Sequence, residues 1–188
     1  DMACGKMTTA LEVLTWSKKN KLKSAFIATG QIGITITGDG IPLDAFKVDH
    51  ACGAVERKVL EYSENDLIII EGQGSLLHPG STATLPLIRG SCPTHLILCH
   101  RAEKQNLRYP ENIRIPNLKK FIELNQNLAH VFGAFPISKC IGVSLNTSKL
   151  NEKEAQMVIN ETTKITGLPV TDPVRYGVEK ICRSLLTS

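Results

Sequence analysis

The run Asp66-Leu-Ile-Ile-Ile-Glu71 constrains this chain more than any other stretch. Four consecutive aliphatic residues between two acids lack the alternation of a half-solvated strand and are too few for a helix. They predict a strand buried on both faces, as in the middle of a parallel sheet. Parallel strands need crossover connections, and those crossovers put helices on the sheet.

The rest of the chain supplies that rhythm. Leu11, Val13 and Leu14 open a first helix that ends in lysines, which suit the negative pole of its dipole. Ser24–Thr29 reads as a short buried strand that Gly30-Gln31 breaks, and the Gly-rich, β-branched segment 32–40 as a strand and tight turn. A long helix is predicted from Asp44, as its cap, to Tyr62, with Phe46, Ala51, Val55, Val59 and Leu60 inward. In the second half His95–His100 is a buried strand, and a helix over Asn117–Phe132 turns Leu118, Phe121, Ile122, Leu128 and Val131 to one face. Lys139–Asn146 is a further strand. Asn151 and Glu154 form a capping box ahead of the stripe Ala155, Val158, Ile159, Thr162 and Ile165. Gly167–Val170 is a last short strand. Asp172 caps a final helix with Pro173 at its first position and Val174, Val178, Ile181, Cys182 and Leu185 inward. The expectation is an α/β fold of three layers, a mostly parallel sheet with helices on both faces, formed by residues 1–188 as one domain.

With 188 residues and 42% hydrophobic content the chain can bury a sizeable core. No stretch approaches the roughly 18 apolar residues of a membrane span, and no basic segment leads into an apolar signal core. The net charge of +4 is small, and basic and aromatic residues do not interleave, so neither a membrane nor a nucleic acid is an expected partner. The 6 cysteines show no CxxC pair and no metal-ligand spacing, which fits small core residues of a cytoplasmic protein and an expectation of no bound metal.

Two loops carry chemistry. Gly5-Lys6 followed by Met7, Thr8 and Thr9 reads as a phosphate-binding loop that opens a helix, with backbone N–H groups and the Lys6 ammonium holding the anion. Met7 stands where a hydroxyl normally binds Mg²⁺, which disfavours a metal–triphosphate site but costs a pyrophosphate cradle little. The second loop, Glu71-Gly-Gln-Gly-Ser75 running to His78-Pro79, leaves a buried strand at the carboxyl edge of the sheet, where doubly wound folds bind ligands. Glu71 is the first candidate for a general base and His78 the second. N–H groups between Gly72 and Ser75 are candidates for oxyanion stabilisation. Gln31 and Asp49 are candidates to reach the substrate, and Arg89 and Arg101 to pair with a substrate carboxylate. His100 is divided between cleft and core.

These residues resemble known families at two levels. Asp1, Gly5-Lys6 and Glu71-Gly-Gln-Gly74 resemble the pattern of dethiobiotin synthetase and related P-loop enzymes. More closely, Gly5–Thr9, Ala28–Gln31, the helix Asp44–Glu56, Glu71–Ser75 with His78-Pro79, and Gly167–Pro173 resemble the large C-terminal domain of the D-glutamate N-acetyltransferase-like family, formerly a domain of unknown function. That resemblance implies a P-loop NTPase-like fold, acetyl-CoA as co-substrate, and acetyl transfer to the amino group of a D-amino acid such as D-glutamate. It also implies a smaller N-terminal Rossmann-like domain in cis that this chain lacks. Gly5, Lys6, Thr8, Thr9, Gly72, Gln73 and Gly74 are the expected cofactor contacts. His50 departs from the family pattern and reads as a packing change. An ATP- and Mg²⁺-dependent kinase or ligase, a non-catalytic nucleotide-binding domain and a homo-oligomer stay open as alternatives.

Overall fold

The computed structural model describes residues 3–186, so Asp1 lies outside the described residues. The chain forms two compact units: one joins the segment up to Thr9 to everything from Pro93 onward, and the other is Ala10–Cys92. Helix α1, Lys6–Lys19, starts in the first unit and enters the second at Ala10. Every strand pair is parallel, and helices flank the strands. This is the expected α/β class.

In the first unit β3 (His95–Arg101), β4 (Lys139–Asn146) and β5 (Val170–Thr171) lie in the order β3-β4-β5. The central strand is the most buried: Val143 and Leu145 are fully enclosed and pack with Ile122 of α5 (Leu118–His130), Ile159 of α6 (Glu152–Thr166) and Val170. Asn117 caps α5, and Asn151 with Glu154 forms the capping box of α6 as expected. The predicted final helix breaks into α7 (Pro173–Tyr176) and α8 (Glu179–Cys182), because Gly177 at φ 70° and ψ −176° leaves helical space. Asp172 caps α7 through the N–H groups of Val174 and Arg175, yet Val174 is 77% exposed rather than inward. Val131 lies past the end of α5 in a left-handed conformation, and it and Ile165 are exposed.

In the second unit β1 (Ser24–Ile27) pairs with β2 (Leu67–Ile70). The run that predicted a strand buried on both faces forms a strand, but only Ile69 of it is buried and its neighbours are half-buried. Segment 32–40 is not a strand. Gln31–Thr37 is helix α2, started by Gly30 and closed by Gly38 in the left-handed region. Within it the Thr35 and Thr37 hydroxyls donate to the carbonyls of Gln31 and Gly33, one turn back. The predicted long helix is shorter, α3 over Val48–Glu61, preceded by a single 3₁₀ turn at Leu43–Ala45. Ala51 and Val55 face the core as expected, whereas Phe46 and Leu60 are exposed and Asp44 caps no helix. Helix α4, Thr84–Ser91, was not anticipated. It packs on α3 at Gly90, where any side chain would collide with the Cys52 carbonyl and Val55.

Candidate functional site

The Gly5-Lys6 loop, the candidate phosphate loop, belongs to the first unit. Gly5 sits at φ 100°, a conformation that favours glycine, and α1 begins at the next residue. The first helical bond is Thr9 N–H to the Gly5 carbonyl at 2.9 Å. Ahead of it the N–H groups of Met7 and Thr8 have no acceptor among the described residues, which is the arrangement an anion needs. Thr8 is exposed there, and Lys6 is half-buried with its ammonium 3.7 Å from the Cys4 sulfur. Thr9 differs. Its hydroxyl donates to the Gly5 carbonyl at 2.8 Å and meets the Ser144 hydroxyl of β4 at 2.7 Å, so its side chain shapes the loop from beneath. The Cys99 thiol reaches the same hydroxyl at 3.6 Å, and burial pushes that thiol up to about 11.

Arg101, at the end of β3, donates from Nη2 to the Ala3 carbonyl at 2.6 Å. It therefore braces the stretch leading into the phosphate loop, in the unit that carries Lys6. His100 beside it is half-buried, and burial holds its imidazole below the usual value.

The acidic loop belongs to the second unit. Glu71 follows β2 directly and is 7% exposed. Its Oε2 accepts the Thr29 N–H at 3.3 Å, its carbonyl accepts the Thr29 hydroxyl at 2.8 Å, and its own N–H donates to Ile27 at 3.0 Å. Thr29, fully buried two residues past the end of β1, thus fixes both the backbone and the carboxylate of Glu71. The carboxylate lies over Gly33, where a Cβ would collide with Oε2 and with Ala28. The Gln73 amide lies over Gly30, at 3.4 Å from where its Cβ would stand. Gly30 and Gly33 are three apart at the start of α2, so the carboxylate and the amide rest on one bare helical face.

The turn beyond is tied by hydroxyls. Ser81 Oγ accepts the Ser75 N–H at 3.1 Å and meets Thr84 Oγ1 at 3.0 Å, and Thr84 Oγ1 donates to the Gln73 carbonyl at 3.3 Å. Gly74, at φ 72°, has no room for a side chain because Ser81 Oγ fills the position. The Ser75 N–H is therefore committed, while those of Gly72, Gln73 and Gly74 have no acceptor among the described residues. His78 accepts the Gly80 N–H at Nδ1 at 3.1 Å, which leaves its neutral ring protonated at Nε2.

The other candidates of this unit stand elsewhere. Gln31 donates to Asp44 at 2.8 Å on the surface. Asp49 lines a shallow groove of about 450 Å³ with Ile41, Pro42, Phe46 and His50, lined by no residue of the acidic loop. Arg89 is half-buried in the last turn of α4. Thr29, Gly33, Ser81 and Thr84 escaped the sequence reading. The available signals were a hydroxyl residue at a strand end and the spacing Ser81-x-x-Thr84 after a glycine-rich loop.

The pattern of the family described as a domain of unknown function, DUF1611_C, P-loop domain, matches residues 1–182. This chain belongs to the DUF1611 family. It is similar to the D-glutamate N-acetyltransferase of Tritonibacter scottomollicae, with 38% identity over 98% of this chain and 55% of that protein. A Pseudoalteromonas protein of the same name is 34% identical over the same shares. The crystal structure of a DUF1611 family protein from Anabaena variabilis ATCC 29413 is 47% identical, with a TM-score of 0.97 over all of this chain and 55% of that one. This DUF1611 chain thus spans about half the length of the relatives it matches. Among its described residues no helix is long and apolar enough to cross a membrane.

Proposed function

We propose that this chain is the P-loop domain of an N-acetyltransferase that moves the acetyl group of acetyl-CoA to the amino group of a D-amino acid such as D-glutamate. The observation that carries this reading is the seat of Glu71, a buried carboxylate held on Thr29 and adjoined by N–H groups that have no acceptor among the described residues. The names of the matched relatives supply the substrate class.

The amine must lose a proton before its nitrogen attacks the thioester carbonyl. Glu71 takes that proton, the C–N bond forms, and the tetrahedral oxyanion accepts N–H donors between Gly72 and Gly74. The C–S bond then breaks, and CoA leaves as a thiolate that takes up the second proton, the one the new amide nitrogen must still lose. Glu71 suits this role better than His78, whose Nδ1 lone pair is occupied by Gly80. Lys6, Gly5 and the N–H groups of Met7 and Thr8 hold CoA phosphate, a task that requires no metal. The remaining length of the relatives is a domain in cis that completes the enzyme.

Calorimetric titration with acetyl-CoA and with ATP, each with and without Mg²⁺, tests the reading. Metal-independent acetyl-CoA binding, followed by D-glutamate-dependent CoA release in the full-length protein, supports it. ATP binding that requires Mg²⁺, without acetyl-CoA binding, sinks it and favours phosphoryl transfer.

A further inference from the structure

We infer that Ser81 and Thr84 are positioning residues, a pair of hydroxyls that clamps the turn Gln73–Ser75 and thereby presents the Gln73 and Gly74 N–H groups, which have no acceptor among the described residues, and the Gln73 amide beside Glu71. Three bonds in series support this: Ser75 N–H to Ser81 Oγ at 3.1 Å, Ser81 Oγ to Thr84 Oγ1 at 3.0 Å, and Thr84 Oγ1 to the Gln73 carbonyl at 3.3 Å. The clamp grips both ends of the turn and leaves its middle open. Gly74, bare and left-handed, lets Ser81 Oγ approach the backbone closely enough to do so. Thr84 opens α4, so one of the two hydroxyls is mounted on a helix packed against α3, while Ser81 lies in the loop just ahead of it. Gln73, with its carbonyl tethered, lays its amide over Gly30 one helical turn from the Glu71 carboxylate over Gly33. A group that develops negative charge beside Glu71 would thus meet donors whose positions are set in advance.

The inference rests on the acetyl-transfer reading, and the test separates the two. The full-length protein is assayed for D-glutamate-dependent CoA release as wild type and as Ser81→Ala, Thr84→Val and Thr84→Ser. Amide exchange at Ser75 is followed in wild type and Ser81→Ala. Misplacement of catalytic donors predicts that Ser81→Ala and Thr84→Val lose about tenfold to hundredfold in kcat while KM for acetyl-CoA changes less than about twofold. Thr84→Ser, which keeps the hydroxyl, restores the rate, and Ser75 exchanges faster in Ser81→Ala. Wild-type kcat in Ser81→Ala and Thr84→Val, or equal damage from Thr84→Ser and Thr84→Val, overturns the clamp. Absence of turnover in the wild type instead overturns acetyl transfer. In that event unchanged Ser75 exchange in Ser81→Ala overturns the clamp as well, and faster exchange upholds it for whatever ligand the loop serves.

Discussion

The carboxylate of Glu71 occupies the space that a side chain at Gly33 would need. Helix propensity alone favours alanine over glycine by about 0.5–1 kcal/mol, so a surface glycine in α2 would gain from the change. Here the added Cβ would meet Glu71 Oε2 and Ala28, both enclosed, and the collision dominates. Gly33→Ala is expected to destabilise the chain by about 1–3 kcal/mol in urea unfolding, as overpacking does. A gain in stability would show that the carboxylate moves aside freely.

Lys6 stands at the start of α1 among N–H groups suited to an anion. Lys6→Ala is expected to weaken acetyl-CoA binding by about 1.5–3 kcal/mol in calorimetry, the worth of a charge-assisted hydrogen bond. Unchanged affinity in the folded variant removes the phosphate-loop assignment.

Asp172 is 4% exposed and accepts the Thr147 N–H at 2.9 Å, the Thr147 hydroxyl, and the N–H groups of Val174 at 2.9 Å and Arg175 at 3.4 Å. It joins the end of β4 to the cap of α7. Asp172→Ala strands several donors and is expected to cost about 2–4 kcal/mol, measured as a lower midpoint of denaturant unfolding. A loss below about 0.5 kcal/mol would mean that water replaces the carboxylate.

Asp39, Lys58 and Tyr62 form a surface cluster in which Lys58 Nζ lies 2.8 Å from Asp39 and the Tyr62 hydroxyl donates to the same carboxylate. The Lys58 ammonium, then Tyr62, holds Asp39 below its ordinary 3.8, and the Asp39 contact raises Lys58 above 10.5. The contribution of Asp39 is therefore present above 3.8 and lost as pH falls through its lower folded value. That of Lys58 is present below 10.5 and lost as pH rises through its higher folded value. Urea midpoints of wild type and Asp39→Asn are expected to differ steadily from about pH 5 to pH 9 and to converge as pH falls below 3.8 through the lower folded value of Asp39. A gap that persists in acid would place the effect in packing rather than charge.

Thiol labelling separates the cysteines. Cys92 is exposed, while burial pushes Cys99 up to about 11 and Cys182 up to about 12. At pH 8 a thiol near 11 is a thiolate only about one part in a thousand. Mass spectrometry after brief alkylation is expected to find Cys92 modified and Cys99 and Cys182 intact until the chain is denatured.

The sequence was legible wherever one element's signals agreed with one another. The Asn151–Glu154 capping box, the Asp172-Pro173 cap and the aliphatic strands all appear where local chemistry put them. Segment 32–37 was misread because β-branched residues alternate with Gly and Thr as a strand would. It is helical because Gly30 and Gly33 offer a bare face to Gln73 and Glu71, residues far away in sequence. Phe46 and Leu60 were assigned inward by periodicity over a helix longer than the real one, and a 3₁₀ turn shifts the register.

The strand that ends at Glu71, the helix that starts after Gly5 and the family were determined by the sequence itself, since residue type and spacing carry them without long-range contacts. The tertiary structure alone decided which polar atoms remain available. It spent the Thr9 hydroxyl on Ser144, the His78 Nδ1 on Gly80 and the Ser75 N–H on Ser81, and it left the N–H groups of Gly72, Gln73 and Gly74 without acceptors among the described residues. The physical reason is that a hydrogen bond is settled by where its partner lies after folding, and no local pattern records that position.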